Sequence, residues 1–152
     1  MEIGCNTGFL SLTLAHGTQC YVAFDNNPFL IQIAQLTQIE VSDTSIDFRV
    51  GAMETFDTTD TFDVVLSFAN HSTWDGNMTM PRPAYFAKLR ELMVDNGMLF
   101  FESHHPSLEN DVQVRETLQI MQASFAIEEQ RKLNQGSAWD LGRTFVRARA
   151  KA

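Results

Sequence analysis

Short apolar runs alternate with longer segments of helical period along this chain, the pattern of a parallel sheet covered by helices. Residues 1–4 read as the end of a first strand, and a turn bracketed by Gly4 and Gly8 leads into the apolar segment Phe9 to Ala15, which predicts a buried helix. Cys20 to Phe24 predicts a second strand. Asn27 then reads as an N-cap with Pro28 at the first helical position, and Phe29, Ile33 and Leu36 share one helix face. Ile46 to Val50 is a short third strand. Phe62 to Phe68 is apolar on both faces, as a fully buried central parallel strand should be. Pro83 starts a helix whose period runs through Tyr85, Phe86, Leu89, Leu92 and Met93, and Asp95-Asn96-Gly97 predicts a turn into the strand Met98 to Glu102. A further helix spans roughly Asp111 to Ala123. Phe125 to Leu133 and Thr144 to Ala150 follow with no helix-length segment between them, which predicts an antiparallel hairpin closing one sheet edge. The expectation is an α/β fold: three layers, doubly wound, with a mostly parallel sheet and an antiparallel C-terminal hairpin.

Size and composition narrow this further. The 152 residues, 44% of them hydrophobic, suit one domain across 1–152 with a respectable core. The longest apolar stretches fall far below the roughly 18 residues of a membrane span. The start shows no basic segment followed by an apolar one, so a soluble, cytoplasmic protein is expected, with Cys5 and Cys20 as free thiols. Nineteen acidic residues against eleven basic give a net charge of −8, which disfavours nucleic acid as a partner, because that affinity comes largely from Lys and Arg neutralising phosphates. Arg143, Arg147 and Arg149 cluster near the end and read as a solvated strand edge.

The segment richest in chemistry is Glu2-Ile3-Gly4-Cys5-Asn6-Thr7-Gly8, lying between a strand and a helix. Glycines let the backbone turn sharply and approach a ligand, and the helix N-terminus beyond offers N–H donors. A plain strand-to-helix turn would look the same. Asp25 changes the balance: it ends the second strand 17 residues after Gly8, where a carboxylate accepts both hydroxyls of a ribose. An Asx turn or a cap before Pro28 is the bland alternative for Asp25, although Asn26 or Asn27 can supply capping without it.

Together these residues resemble the first motif of the S-adenosylmethionine-dependent methyltransferases, in which an acidic residue opens the loop and a Gly-x-Asn-x-Gly or Gly-x-Gly-x-Gly turn follows. The acid ending the second strand matches Asp25, and Phe62-Asp63-Val64-Val65 matches a run on the fourth strand. Dinucleotide-binding dehydrogenases prefer Gly-x-Gly-x-x-Gly, whose third glycine would fall on Phe9, so a nicotinamide-dependent oxidoreductase fits less well. The resemblance implies a Rossmann-like fold with S-adenosylmethionine as cofactor. It implies that Glu2 engages the methionine ammonium, that Gly4, Cys5, Asn6 and Gly8 back the methionyl and ribose portions, that Asp25 and Asn26 hold the ribose end, and that Ala52 and Met53 flank adenine, with Ser67 completing the cofactor set. Ala52 departs from the family pattern, which often has an aspartate there. The other departure is that only Met1 precedes Glu2, where relatives have a helix and more of the first strand; an N-terminally truncated domain is therefore expected.

Methyl transfer from a sulfonium is an in-line displacement in which positioning supplies much of the rate and a base removes the nucleophile's proton where required. Ser67 to Asp75 is dense in groups able to bind an acceptor. His71 is the leading base, since an imidazole titrates near neutrality; a histidine merely hydrogen-bonded in its loop is the alternative. Glu102-Ser103-His104-His105-Pro106, with Asp75, contains metal-ligand types, but neighbours on an extended segment point to opposite sides, so no metal is expected and His104 is the second candidate catalytic residue. Phe68 and Trp74 either stack on an acceptor ring or belong to the core. The expected function is methyl transfer to an oxygen, nitrogen or carbon of a small molecule. Its rival is a non-catalytic interaction module that keeps the fold.

Overall fold

The computed structural model describes residues 1–41, 45–72, 78–134, 136, 138 and 141–152. The chain divides into two compact units, Met1–Phe56 and Asp57–Ala152. Its class is α/β and Rossmann-like, with mostly parallel strands and antiparallel strands at the C-terminal end. Among the described residues no helix is long and apolar enough to cross a membrane.

In the first unit, β1 (Glu2–Ile3), β2 (Tyr21–Asp25) and β3 (Ile46–Val50) lie parallel in the order β3-β2-β1. Residues 21–24 of β2 are buried on both faces, as a central parallel strand requires. Two helices connect these strands, α1 (Phe9–Leu14) and α2 (Pro28–Glu40). Asn27 caps α2 by accepting the Phe29 N–H at 3.0 Å, with Pro28 at the first turn.

Both helices turn out differently from their apolar pattern. In α1 only Ser11 is buried, while Phe9 is 80% exposed. In α2 the buried positions are Ile31 and Ala34, and the Phe29, Ile33, Leu36 face points outward, Phe29 being 72% exposed. The reason is that α2 is apolar almost all round, so periodicity alone selects no face. Small and amide side chains decide it. Ala34 permits close approach to Gly8, whose added Cβ would lie 2.9 Å from Ala34 Cβ, and the Gln35 and Gln38 amides donate to the β3 carbonyls of Phe48 and Ile46 at 3.3 and 2.8 Å.

In the second unit the strand order is β4-β5-β7-β6, formed by β4 (Phe62–Phe68), β5 (Met93–Glu102), β6 (Phe125–Lys132) and β7 (Thr144–Ala150). β4 and β5 are parallel, whereas β7 runs antiparallel to both β5 and β6. Helix α3 (Arg82–Glu91) starts one residue before the expected Pro83 and buries Tyr85, Phe86 and Leu89. Helix α4 (Asp111–Met121) opens with a capping box between Asn110 and Gln113.

Three expectations are corrected here. Asp95-Asn96-Gly97 does not separate helix from strand. It lies inside β5, which already begins at Met93, and the pairing slips between Phe62 and Val64. Asn96 in the left-handed region (φ 62°) and Gly97, whose added Cβ would stand 3.0 and 3.2 Å from the Val94 and Asp63 carbonyl oxygens, absorb the extra residues as a bulge. Burial of β4 is incomplete, since Asp63 and Val64 are exposed near its start. β7 is not an edge, because β6 lies outside it, and the arginines in it and just before it answer carboxylates: Arg143 to Glu102 at 3.2 Å, Arg147 to Glu128 at 3.5 Å and Arg149 to Glu128 at 2.6 Å.

Candidate functional site

In the first unit the chain after β1 passes through three left-handed residues in alternation, Gly4 (φ 64°), Asn6 (φ 53°) and Gly8 (φ 75°). At Gly8 the requirement for glycine is double, since an added Cβ would also sit 2.7 Å from Phe48 Cζ. This bend and the end of β2 are tied together. The Asn6 N–H donates to Asp25 Oδ2 at 3.0 Å, the Asn27 N–H to Asp25 Oδ1 at 2.9 Å, and the Gly51 N–H to the Asp25 carbonyl at 2.9 Å. Asp25 thus makes the Asx turn and still keeps lone pairs, because an ionised carboxylate offers about four acceptor positions and these two amides take one on each oxygen.

Four amides of the bend are already committed. Those of Cys5, Thr7 and Gly8 donate to Phe24 O, Asn6 Oδ1 and Cys5 O at 3.0, 2.8 and 2.9 Å, and that of Asn6 goes to Asp25. A pyrophosphate needs such N–H groups for itself. The geometry therefore favours a ligand that presents hydroxyls to Asp25 over a dinucleotide.

Glu2 is buried, and its Oε2 accepts the hydroxyls of Ser11 and Tyr21, the latter at 3.1 Å. Burial pushes its carboxyl above the ordinary range and outweighs both hydrogen bonds. Burial, followed by the charges of Glu2 and Asp25, holds the Cys5 thiol up at about 12, so it is a packed neutral group. Asn26 is exposed beside Asp25. Ala52 is half-buried and its carbonyl closes a turn onto the Thr55 and Phe56 amides. The Met53 side chain is in the core at 1% exposure, and Phe56 stacks on Phe24 with ring centroids 4.4 Å apart.

The second unit carries a buried polar cluster. His71 is 1% exposed and its Nε2 lies 3.0 Å from Glu109 Oε1. That oxygen also accepts the Thr117 hydroxyl at 2.9 Å, and Thr117 accepts from Arg82 Nη1 at 2.8 Å. Glu109 Oε2 accepts the His104 backbone N–H at 3.0 Å. Burial works to raise the Glu109 carboxyl, but the hydrogen bond and charge of His71, the His104 amide and the Thr117 hydroxyl hold it down at about 2. The His104 ring, 4.8 Å from that of His71, bonds the Ser72 backbone, and burial, followed by the His71 charge, lowers its pKa.

The structure thus gathers Glu2, Gly4, Asn6, Gly8 and Asp25 in one unit, and His71 with His104 in the other. The Ser67 hydroxyl is fully buried against Tyr85 Oη at 2.8 Å, so it is committed to the core. His105 bonds Ser107, away from the partners of His104. Trp74 and Asp75 lie outside the described residues. Sequence reasoning missed Ser11, Tyr21, Glu109 and Thr117. Ser11 carried a signal, as a polar residue between two leucines of a short, mostly apolar helix; Glu109, 38 positions from His71, carried none.

Comparison with known proteins defines the class. A family model described as a methyltransferase domain matches residues 1–97, so the chain belongs to this family, within the S-adenosylmethionine-dependent methyltransferase superfamily. No curated protein sequence matches it. Among solved structures it is similar to the N-methyltransferase NodS of Bradyrhizobium japonicum WM9 in complex with S-adenosyl-L-homocysteine, at 18% identity and a TM-score of 0.77, covering 99% of this chain and 76% of that one. A putative S-adenosylmethionine-dependent methyltransferase of Listeria monocytogenes gives 14%, 0.79, 99% and 90%. The [4+2]-cyclase SpnF gives 14%, 0.78, 99% and 74%. At these identities the likenesses establish the fold.

Proposed function

We propose that this chain binds S-adenosylmethionine and transfers its methyl group to an oxygen, nitrogen or carbon of a small molecule. The observation that carries the reading is the 3.0 Å bond from the Asn6 amide to Asp25 Oδ2, which makes the glycine bend and the carboxylate one structure. When bound, the cofactor supplies an electrophilic methyl group on a sulfonium. Asp25 accepts the ribose hydroxyls with its remaining lone pairs, and Asn26 stands beside it. The bend from Gly4 to Gly8, Cys5 and Asn6 included, backs the ribose and methionyl portions without side-chain obstruction. Glu2 suits the methionine ammonium, because a buried carboxylate raised by desolvation gains most from a cation. The backbone of Ala52 and Met53 flanks the adenine. His71 and His104 serve the acceptor, and the pairing of the C-terminal arginines with glutamates supports a small acceptor over a nucleic acid.

Titration calorimetry with S-adenosylhomocysteine tests this. Saturable binding that Asp25→Ala weakens at least tenfold, with no binding of NAD, supports the reading. Absence of binding, or tighter binding of NAD, removes it. A second reading, an interaction module on a methyltransferase fold, is favoured by the exposure of the large apolar side chains Phe9, Phe29, Leu36 and Ile39; it predicts no cofactor binding at all.

A further inference from the structure

Buried polar atoms without partners are uncommon, and each asks for a reason, because leaving one unsatisfied costs about 1–3 kcal/mol. Two ring nitrogens of the second unit are in this position, His71 Nδ1 and His104 Nε2. The chemistry of their neighbours fixes what each carries. Both Glu109 oxygens act as acceptors, Oε1 for the Thr117 hydroxyl and Oε2 for the His104 amide, and a carboxylate that accepts on both oxygens has no proton to donate. Its Oε1, 3.0 Å from His71 Nε2, therefore requires the proton of neutral His71 to be on Nε2, leaving a lone pair on Nδ1. His104 bonds the Ser72 carbonyl through its other nitrogen, so its Nε2 is a lone pair as well. Two adjacent buried imidazoles thus present acceptors and no donor.

We infer that Glu109 is a positioning residue whose carboxylate fixes His71 as its Nε2–H tautomer, so that Nδ1 is the atom receiving a proton from a methyl acceptor that carries an O–H or N–H group. The arrangement is held at every joint. Glu109 immediately precedes the Asn110 cap of α4, and both its oxygens are engaged, Oε1 by the His71 ring and the Thr117 hydroxyl and Oε2 by the His104 amide. Arg82 in turn holds Thr117. A carboxylate fixed this firmly leaves the imidazole one tautomer and one orientation.

The step balances. The acceptor's O–H or N–H proton moves to His71 Nδ1, and the freed pair forms the bond to the methyl carbon. The carbon–sulfur pair returns to sulfur as that bond breaks, and the imidazolium keeps its Nε2–H on Glu109 until solvent takes the extra proton. This inference rests on the methyl-transfer reading for its purpose, while the tautomer stands on geometry alone. It also narrows the acceptor: an O–H or N–H complements the two lone pairs, whereas a carbon acceptor does not.

Two-bond 1H–15N NMR of the histidine rings in the full chain reads the tautomer directly, with no variant and no turnover. We expect His71 to show protonated Nε2 and bare Nδ1 at pH 8, and Glu109→Gln to convert a large share of it to the other form, since the amide nitrogen donates where the carboxylate only accepted. Thr117→Val should leave the tautomer unchanged. In the presence of S-adenosylhomocysteine, phenol should shift the His71 Nδ1 resonance and anisole, which lacks the donor, should not. A bare Nε2 in the native chain, an unchanged tautomer in folded Glu109→Gln, or equal responses to phenol and anisole would each overturn the inference. Failure of S-adenosylhomocysteine to bind, with the tautomer as expected, would strike the methyl-transfer reading instead.

Discussion

Replacing Gly8 by alanine measures how tightly the bend is built. The new methyl group would stand 2.7 and 2.9 Å from two carbons of the Phe48 ring and 2.9 Å from Ala34 Cβ. Neither neighbour yields easily: Phe48 is buried in β3, and the Ala34 methyl moves only with α2. Overpacking of this kind costs about 1–3 kcal/mol. The residue must also hold φ at 75°, which costs an L-residue about 1–2 kcal/mol. Restricting the unfolded chain returns about 0.4–1 kcal/mol, so a net loss of about 2–4 kcal/mol is expected. Gly17→Ala separates the two contributions. Its φ is 83° but nothing lies within 4 Å of its added Cβ, so it bears the strain without the collision. Urea unfolding at pH 7 should place Gly8→Ala about 1–3 kcal/mol below Gly17→Ala. If the two variants lose equally, or Gly8→Ala stays within about 0.5 kcal/mol of the native protein, the close packing of bend, β3 and α2 is wrong.

Other expectations address separate parts of the account. On α2, Ile31→Ala should cost about 2–5 kcal/mol, while Phe29→Gln and Leu36→Gln should each change stability by less than about 0.5 kcal/mol; the opposite order would restore the face that periodicity suggests. The depressed Glu109 carboxyl contributes stability that is complete above its ordinary value of 4.5 and is lost as pH falls towards about 2. That drop corresponds to on the order of 3 kcal/mol. Acid titration of stability in Glu109→Gln should therefore show a shallower limb between pH 4.5 and 2 than the native protein, and parallel limbs would contradict the assignment. Cys5 is buried with its thiol pushed up to about 12 while Cys20 is exposed, so iodoacetamide at pH 8 should label Cys20 alone until the chain is unfolded. Rapid labelling of Cys5 in the folded protein would count against its burial.

Strands were legible where apolar runs had turn residues on both sides, and β3, β4 and β7 begin and end where the sequence predicts. So was the Gly4 to Gly8 bend with Asp25, because its residue types are demanded by backbone geometry and acceptor chemistry. Helix faces were less so. An apolar period names a face only when the other face is polar, and α1 and α2 lack that contrast, so Ser11, Ala34 and two glutamines decided what sequence periodicity did not. Asp95-Asn96-Gly97 has the composition of a turn, but a left-handed asparagine followed by glycine serves equally well inside a bulged strand. Glu109 was invisible for a different reason. Beside an N-cap it reads as a solvated acid, and only tertiary folding brings it to His71.

The central claim is that the bend and Asp25 form a single cradle for a nucleoside, and a crystal structure of the complex with S-adenosylhomocysteine tests it most directly. Both ribose hydroxyls should lie within about 2.5–3.0 Å of the Asp25 carboxylate, with the Asn6 amide still bonded to Oδ2. A ribose held elsewhere, or an Asp25 side chain turned away from the bound nucleoside, would contradict it.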